Sequence, residues 1–530
     1  MFTDARSLDE DSTIESDVCI IGAGAAGITI ARELIDRRLS ICLLESGGFD
    51  YHPETQALHE GRSTGRRYNP LHTSRLRYFG GTTNHWTGLC SPLDPIDFAH
   101  RPWIPHSGWP IARSELDPFY ERAQRVCELG PYRYDDVAFW EADDKVRLPL
   151  SADKVVTKIF QYSTPTRFGQ VYREELSKAQ NVRVLLYANA LDLETDENAS
   201  HVRRVRAGCL NGRRFWVQAR YYVLACGGIE NPRLLLLSTG TAPRGLGNDH
   251  DLVGRFFMDH PHVPSAKLLL STAARAPALY RAFERAGSTA VGYLRLADGL
   301  QRERRLLNYS AALTPLPAGG YASMRRLYYR FRAGDAASAS LMQDIENVIA
   351  DFEDVVLQLN NSLLGRTGSR RRAEEPTRLF WLDTRVEPAP NPSSRLTLGL
   401  TKDALGLRRV QLEWRLSSID KHTIREATGI IGRESGRTGI GRLQLLDWLS
   451  DDDDAWSPDM YGGNHHAGTT RMGETPEEGV VDSDCKVYGT NNLYIAGSSV
   501  FPTVGCANPT LTIVALALRL ADHVASRLEA

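Results

Sequence analysis

The sequence comprises 530 residues with 63 basic and 65 acidic side chains, a formal net charge of −2 and 42% hydrophobic residues. This is the composition of a folded protein of several domains, and it excludes extended disorder, fibrous repeats and a global charge that would attract nucleic acid or anionic lipid. The eight cysteines contain no Cys-x-x-Cys pair, which argues against a disulfide framework and a structural zinc site.

The amino-terminal segment is polar and acidic, and no apolar stretch has the length of a membrane span. From this we expect a cytoplasmic protein with no nucleic-acid partner and no membrane span.

The first predicted elements form a βαβ unit. A buried strand at Asp17–Ile21 leads into the glycine-rich turn Gly22–Gly27 and a helix, and a second buried strand at Ser40–Leu44 ends at Glu45. Strand, glycine turn, helix, strand and acid in this order are the dinucleotide-binding fingerprint. The alternative is a glycine-rich turn that binds no ligand.

Each part of this fingerprint has a physical role. Gly22 permits a tight turn, Gly24 lets the backbone approach a pyrophosphate, and Gly27 allows the helix to pack closely on the strand. Glu45 would accept hydrogen bonds from a ribose diol. The predicted contacts at this end are Gly22, Gly24, Ala25, Ala26, Gly27, Glu45 and Ser46.

A second glycine-rich loop follows at Phe79–Gly88 and combines paired glycines, hydroxyls and an aromatic pair. It offers donors for a second phosphate contact and a flat surface for a ring system, which favours a permanently bound FAD over a loosely held NAD. The predicted contacts here are Gly80, Gly81, Thr82, Asn84, His85, Trp86 and Thr87.

The remaining elements are predicted from hydrophobic periodicity. In chain order they are a helix at 114–128, a strand at Tyr221–Ala225 whose last residue would contact the cofactor, an amphipathic helix at 341–363, strands at 395–400 and 410–414, a strand at Asn492–Ala496, and a closing helix at 511–527.

The segment Tyr461–Gly473 places two adjacent histidines, His465 and His466, among glycines. Imidazole is the usual side-chain base near neutral pH. In an extended segment consecutive side chains point to opposite sides, so we expect only one of the two to face the cofactor. The sequence has no HExxH motif and no Cys/His ligand spacing, and we therefore predict no metal site.

Together these motifs resemble those of the glucose–methanol–choline (GMC) oxidoreductases, a family of FAD enzymes that oxidise alcohols. The resemblance runs through blocks at 17–45, 78–92, 221–238, 252–262 and 461–516. It implies an α/β fold with a Rossmann-like FAD-binding domain and a second, substrate-binding α+β domain that contains an antiparallel sheet, an architecture similar to that of p-hydroxybenzoate hydroxylase.

The chain is accordingly divided into two discontinuous domains. The FAD-binding domain is predicted from 1–97, 180–262 and 455–530, and the substrate-binding domain from 98–179 and 263–454. We expect the strands near 395–416 to form a sheet of the second domain.

The resemblance also implies roles for residues near the carboxyl terminus. The family's base precedes Gly-Thr by three residues, which gives His465, with His466 as the alternative. Asn508 matches the second active-site residue, and with the two histidines it would contact the substrate. Implied flavin contacts are Gly497, Ser498, Asn508, Pro509 and Thr510. His260 is interpreted as structural.

Within the family, Gly80–Thr87 is most similar to the flavin-attachment loop of pyranose oxidases. This implies His85 as the residue that links covalently to FAD, and the alternative is a histidine that only packs on the flavin.

The activity implied is oxidation of a CH–OH group, of a sugar, glycoside or related polyol, to a carbonyl. Hydride would pass to flavin N5, and the electrons would pass to dioxygen or another acceptor. Three alternatives are a lyase on the same fold that cleaves a cyanohydrin-type bond, a noncatalytic flavin-binding subunit, and an NAD-linked dehydrogenase.

Overall fold

The computed structural model of the protein describes residues 1–142, 145–271, 278–315, 323–324, 327–328, 341–350, 378–450 and 455–529. Its α-helices are α1 (Ala25–Glu33), α2 (Pro53–Ala57), α3 (Pro95–Phe98), α4 (Arg113–Val126), α5 (Val137–Trp140), α6 (Phe168–Val171), α7 (Arg173–Lys178), α8 (Gly227–Leu237), α9 (Asp298–Arg304), α10 (Leu341–Ala350), α11 (Ser418–Arg437) and α12 (Thr510–Glu529).

The strands are β1 (Phe2–Asp4), β2 (Thr13–Ile21), β3 (Ile41–Leu44), β4 (Gly61–Gly65), β5 (Leu89–Cys90), β6 (Val155–Tyr162), β7 (Val182–Leu186), β8 (Asn189–Thr195), β9 (Val202–Gly208), β10 (Arg214–Leu224), β11 (Pro261–Leu270), β12 (Phe283–Arg285), β13 (Ser288–Leu296), β14 (Tyr309–Pro315), β15 (Leu379–Val386), β16 (Arg395–Lys402), β17 (Arg408–Trp414), β18 (Gly441–Leu445), β19 (Tyr461–Gly462) and β20 (Leu493–Ile495).

The first sheet has the strand order β1-β7-β3-β2-β10-β9-β8, and β20 also pairs with β10. Along this order, each neighbouring pair from β1 as far as β10 is parallel, and the β10–β20 pair is parallel as well. Parallel strands are covered on both faces and therefore apolar throughout, as in β3, where all four residues are buried. Helix α1 packs on β2 and β3 of this sheet, α12 packs against α1 and α4, and the carboxyl end of β2 opens into the glycine turn.

The second sheet has the order β18-β11-β15-β14-β13-β6-β5, with β12 on β13 and β19 on β11, and its pairs are antiparallel. Alternate residues of β15 are buried, which is the pattern of a sheet with one face on the core. The predicted α/β fold with a Rossmann-like domain and an antiparallel second sheet is confirmed.

The strands expected near 395–416 are present as β16 and β17 and pair antiparallel. They lie outside the large second sheet, however, because β17 pairs in parallel with β4 from the amino-terminal part of the chain to make a separate three-stranded sheet. Of the helix predicted at 341–363, α10 covers the first part, and residues 351–363 lie outside the described residues.

The predicted domain division stays a prediction. All strands of the first sheet fall within 1–97, 180–262 and 455–530, whereas β4, β5 and β19 from the same ranges pair with the other two sheets. No helix within the described part of the chain is both long enough and apolar enough to cross a membrane.

Candidate active site

A cavity of about 680 Å³ is lined both by the dinucleotide turn and by the two predicted catalytic residues. Segments that are distant in sequence therefore meet around one space. The predicted site residues that line it are Gly22, Gly24, Ala25, Ala26, Glu45, Ser46, Gly81, Thr82, His85, Trp86, Thr87, Ala225, His465, His466, Gly497, Ser498, Asn508, Pro509 and Thr510.

Three residues predicted as cofactor contacts do not line the cavity and instead shape its walls. A Cβ on Gly27 would lie 1.9 Å from the Gly22 carbonyl oxygen, so this glycine serves the packing of α1. Gly80 has a φ of +97° and donates its N–H to the Ala23 carbonyl at 2.8 Å. The Asn84 side chain donates to the Phe79 carbonyl at 3.0 Å and closes its own loop.

The dinucleotide turn follows β2 directly. Gly22 has a φ of +104°, and a Cβ there would lie 2.7 Å from the Ala225 carbonyl oxygen of the neighbouring strand. Gly24 caps α1 without a side-chain hydrogen bond, which leaves first-turn N–H groups and the positive end of the helix dipole for a phosphate. The buried Glu45 carboxylate accepts from the N–H groups of Ala23 at 3.1 Å and Gly47 at 2.9 Å, and burial raises its pKa.

The cavity wall contains glycines that face open space. A Cβ on Gly24 or Gly227 would meet nothing within 4 Å, and on Gly497 only the Gly227 Cα at 4.0 Å. Side chains there would occupy the cavity itself. The buried Nε2 atom of His466 has no hydrogen-bond partner within the described residues and also belongs to this wall. A glycine cradle, a free helix end and a buried ring nitrogen without a partner fit an FAD molecule.

The second glycine loop holds His85 at the cavity. A short 3₁₀ helix at Gly81–Asn84 ends at His85, and Arg167 ties the loop down by donating to the Thr83 and Trp86 carbonyls, both at 2.9 Å. The His85 side chain is exposed into this space, and burial together with the Arg167 charge lowers its pKa. His85 is therefore a neutral imidazole that a bound group can reach.

His465 is held in place through its backbone. Asp259 accepts hydrogen bonds from the N–H of His465 at 2.8 Å and of Asn464 at 3.0 Å, and also from the Tyr68 hydroxyl. Burial raises the pKa of Asp259 to about 7. Asn464 has a φ of +60°, a strained value that these contacts maintain.

The His465 ring lies in a chain of hydrogen bonds that ends at a carbonyl. Its Nε2 is 3.2 Å from Asn508 Nδ2, and its Nδ1 is 2.9 Å from His260 Nδ1. The other nitrogen of His260, Nε2, is 2.8 Å from the Gly505 carbonyl oxygen.

The carbonyl favours one direction of this chain, because a carbonyl only accepts. Burial lowers the pKa of His260 to about 4 and keeps it neutral, so the favoured tautomer of His260 carries its proton on Nε2. His260 Nδ1 is then an acceptor, and His465 donates to it from Nδ1. The lone pair of His465 lies on Nε2, the atom beside Asn508, as a general base requires.

The electrostatic surroundings keep His465 unprotonated. Burial, followed by the neighbouring His260, Arg385 and His466, holds the pKa of His465 well below its usual range. Such an imidazole is ready to accept a proton at neutral pH.

His466 is also among the residues that line the cavity, and the expectation that only one of the two histidines faces the cofactor stays a prediction. The segment is not extended, because Asn464 and Gly468 on either side have φ values of +60° and +83°. His466 packs against the rings of Tyr68 and Phe257, and burial lowers its pKa to about 3. It has no contact with Asn508, which distinguishes it from His465.

Several site residues were missed from the sequence. His260 was interpreted as structural but contacts His465, and its position beside Asp259 in a polar segment was the available signal. Arg385 donates to Asn508 Oδ1 at 3.1 Å, and no local pattern marks it. A buried ionic cluster of Arg75, Arg77, Glu230 and Arg233 also lines the cavity, together with the buried His59.

Within the described ranges, no group of three or more His, Cys, Asp or Glu side chains is placed to hold a metal ion.

The chain is similar to known proteins in its family motifs, its sequence and its fold. Residues 17–244 match the family model described as FAD dependent oxidoreductase, and residues 390–517 match the one described as GMC oxidoreductase. The chain is 24% identical to the fructose dehydrogenase large subunit of Gluconobacter japonicus over 98% of this chain and 99% of that protein.

A shorter alignment has a higher sequence identity. The chain is 37% identical to a C-glycoside 3-oxidase of Microbacterium trichothecenolyticum, over 24% of this chain and 23% of that protein. Among solved structures, a fungal aryl-alcohol oxidase has a TM-score of 0.58 at 14% identity, with 99% of this chain and 100% of that chain covered. This likeness shows the fold.

Proposed function

Because this chain belongs to the GMC oxidoreductases, FAD-dependent enzymes that act on CH–OH donors, we propose that it oxidises a hydroxyl-bearing carbon of a sugar, glycoside or related polyol, with His465 as the base. The observation that carries the proposal is the unprotonated Nε2 of His465 beside Asn508 in the wall of the dinucleotide cavity. When bound, FAD supplies the hydride acceptor.

The protein residues handle the proton of the reaction. His465 Nε2 accepts the hydroxyl proton of the substrate, which lets the carbinol carbon release hydride. The Nδ1–H of His465 keeps its acceptor on His260 throughout, so the ring does not rotate as it gains charge. The amide of Asn508 donates to the substrate oxygen and cannot itself titrate, which leaves a single base.

The surroundings of His465 support a hydroxyl-rich substrate. The buried Nε2 of His262 has no partner within the described residues, and its ring centroid lies 5.8 Å from that of His465. Arg385 and Tyr461, whose ring lies tilted against that of His262 at 5.2 Å between centroids, add further polar groups at this side. Unpaired buried polar atoms reject apolar alcohols and are satisfied by hydroxyls. Two of the relatives reported above are named for fructose and for C-glycosides.

We expect FAD to be linked covalently through His85, because this neutral imidazole is exposed at the cavity. Acid precipitation of purified holoprotein tests this: yellow colour stays in the pellet of the parent protein and moves to the supernatant in His85→Ala. Yellow in the supernatant of the parent protein contradicts the link.

Anaerobic mixing of holoprotein with a panel of sugars, glycosides and simple alcohols tests the function. A sugar or glycoside should bleach the visible flavin absorbance, whereas a lyase or a noncatalytic subunit would leave it unchanged. Repeating the active substrate with dioxygen and with an artificial acceptor identifies where the electrons go.

A further inference from the structure

Arg385 contacts the candidate active site from the second sheet. It lies on β15, its guanidinium carbon is 5.1 Å from the ring centroid of Tyr293, and its Nη1 donates to Asn508 Oδ1 at 3.1 Å. The opposite side of the same Asn508 amide faces His465 Nε2 at 3.2 Å. One amide therefore links a residue of the second sheet to the base.

An asparagine amide can be placed in two orientations that exchange its oxygen and nitrogen. A guanidinium carries only N–H donors, so it requires the Asn508 oxygen on its own side. The amide nitrogen must then face His465 and donate to Nε2. In the reverse orientation the amide N–H groups would oppose those of Arg385, and Oδ1 would require a proton on His465 Nε2.

We infer that Arg385 is a positioning residue that fixes the orientation of the Asn508 amide. It thereby keeps His465 Nε2 without a proton, so that this nitrogen can accept the substrate proton. The inference rests on the proposed function, in which His465 is the base. It goes further because it makes Arg385, a residue outside the nucleotide-binding sheet, a determinant of the tautomer of His465. The Gly505 carbonyl at the far end of the chain favours the same tautomer, so Arg385→Met removes one of its two determinants and shifts part of the molecules to the other tautomer.

The experiment uses FAD-loaded protein with ¹⁵N-labelled histidine and compares the parent chain with Arg385→Met, Arg385→Lys and Arg378→Met. Arg385→Met removes the donors, and Arg385→Lys keeps one. Arg378→Met is the matched control, because Arg378 directly precedes the same strand and hydrogen-bonds only the Leu270 and Ser271 carbonyls among the described residues. Thermal unfolding confirms that each variant is folded.

Two readouts are expected to change together. The ¹⁵N spectrum of the parent shows His465 protonated at Nδ1, and Arg385→Met shows protonation at Nε2 in a substantial fraction of molecules. The kcat of Arg385→Met falls about 10- to 100-fold, the effect of losing a hydrogen bond to a charged group. Arg385→Lys recovers most of the loss, and Arg378→Met resembles the parent in both readouts.

Parent-like kcat and tautomer in Arg385→Met overturn the inference. A fall in kcat with an unchanged tautomer also overturns it, since the arginine would then act only through its charge or its packing. If the parent oxidises no CH–OH donor, the proposed function fails, and the spectrum alone still decides the role of Arg385.

Asn508→Asp is a second variant for the case in which Arg385→Met does not fold. Both oxygens of a carboxylate accept, so the side chain can stay on Arg385 and force a proton onto His465 Nε2. The expected spectrum shows protonated Nε2, and a parent-like spectrum contradicts the inference.

Discussion

The two ends of the cavity are built in different ways. The dinucleotide end is formed by backbone and glycines within one βαβ unit, where a Cβ added to Gly22 or Gly27 would lie under 3 Å from neighbouring backbone atoms. The chemical end is formed by side chains from four distant places, His260, Arg385, His465 and Asn508, which meet only through hydrogen bonds. Cofactor binding thus depends on local shape, and catalysis depends on the alignment of separate segments.

The largest effect is expected at the dinucleotide end. In Gly27→Ala the new Cβ would lie 1.9 Å from the Gly22 carbonyl oxygen, so α1 must move, at a cost of about 3 kcal/mol in the free energy of unfolding. Thermal unfolding and the FAD content of purified protein measure this.

Gly24→Ala is the matched comparison, because its Cβ would meet no protein atom within 4 Å. It should unfold at the parent temperature and lose only FAD. Equal unfolding temperatures in the two variants would show that the distinction between packing and cofactor contact is wrong.

At the chemical end, His465→Ala should reduce kcat about 10²- to 10⁴-fold by removing the general base. FAD content and unfolding temperature should stay near those of the parent. His422→Ala, an exposed histidine on α11, is the control and should retain full activity. Activity that survives in His465→Ala and is lost in His466→Ala would reassign the base to His466.

His260→Phe should lower kcat about 10- to 100-fold, because the Nδ1–H of His465 loses its buried acceptor. The ring volume is retained, so the FAD content should not change. A fall in FAD content that matches the fall in kcat would instead mean that His260 is structural, as its sequence context first indicated.

The pH dependence is the smallest and most specific effect. The pKa of His465 is held well below its usual range and that of His260 is lowered to about 4, so both rings are neutral near pH 7. We expect kcat to be constant above about pH 6.5 and to fall only in more acidic solution, where protonation removes the base and its acceptor. A rise of kcat through pH 6 to 8 would contradict this.

The same neutral histidines affect stability. Because the folded pKa of His260 is lowered, the unfolded chain binds more protons below about pH 6.5, and the free energy of unfolding decreases as the pH falls toward 4. Below the folded pKa of His260, this effect lowers the free energy of unfolding by about 3 kcal/mol in total.

The sequence predicts the dinucleotide end well because its determinants are local. Gly22, Gly24 and Glu45 lie within one unit whose spacing is set by a strand, a turn and a helix. The loop motif as a whole predicts Gly80 and Asn84 as cofactor contacts, whereas Gly80 donates its N–H to the Ala23 carbonyl of the dinucleotide turn and Asn84 closes its own loop. Spacing alone does not tell a contact residue from a shaping residue.

The chemical end was predicted only in its two central residues. His465 and Asn508 came from a family pattern, and their neighbours could not be identified because they arrive from other sheets. Arg385 lies on an ordinary alternating strand, and its role depends on the register that pairs it with His262 and Ser310 and brings its side chain to Asn508. Local strand propensity does not determine such long-range pairing.

A crystal structure of the FAD-loaded protein with a bound sugar tests the account most directly. We expect one sugar hydroxyl oxygen within about 2.6–3.2 Å of both His465 Nε2 and Asn508 Nδ2, with its carbon facing the flavin ring. A sugar whose hydroxyls contact other side chains, with His465 beyond hydrogen-bond distance of any of them, would contradict the account.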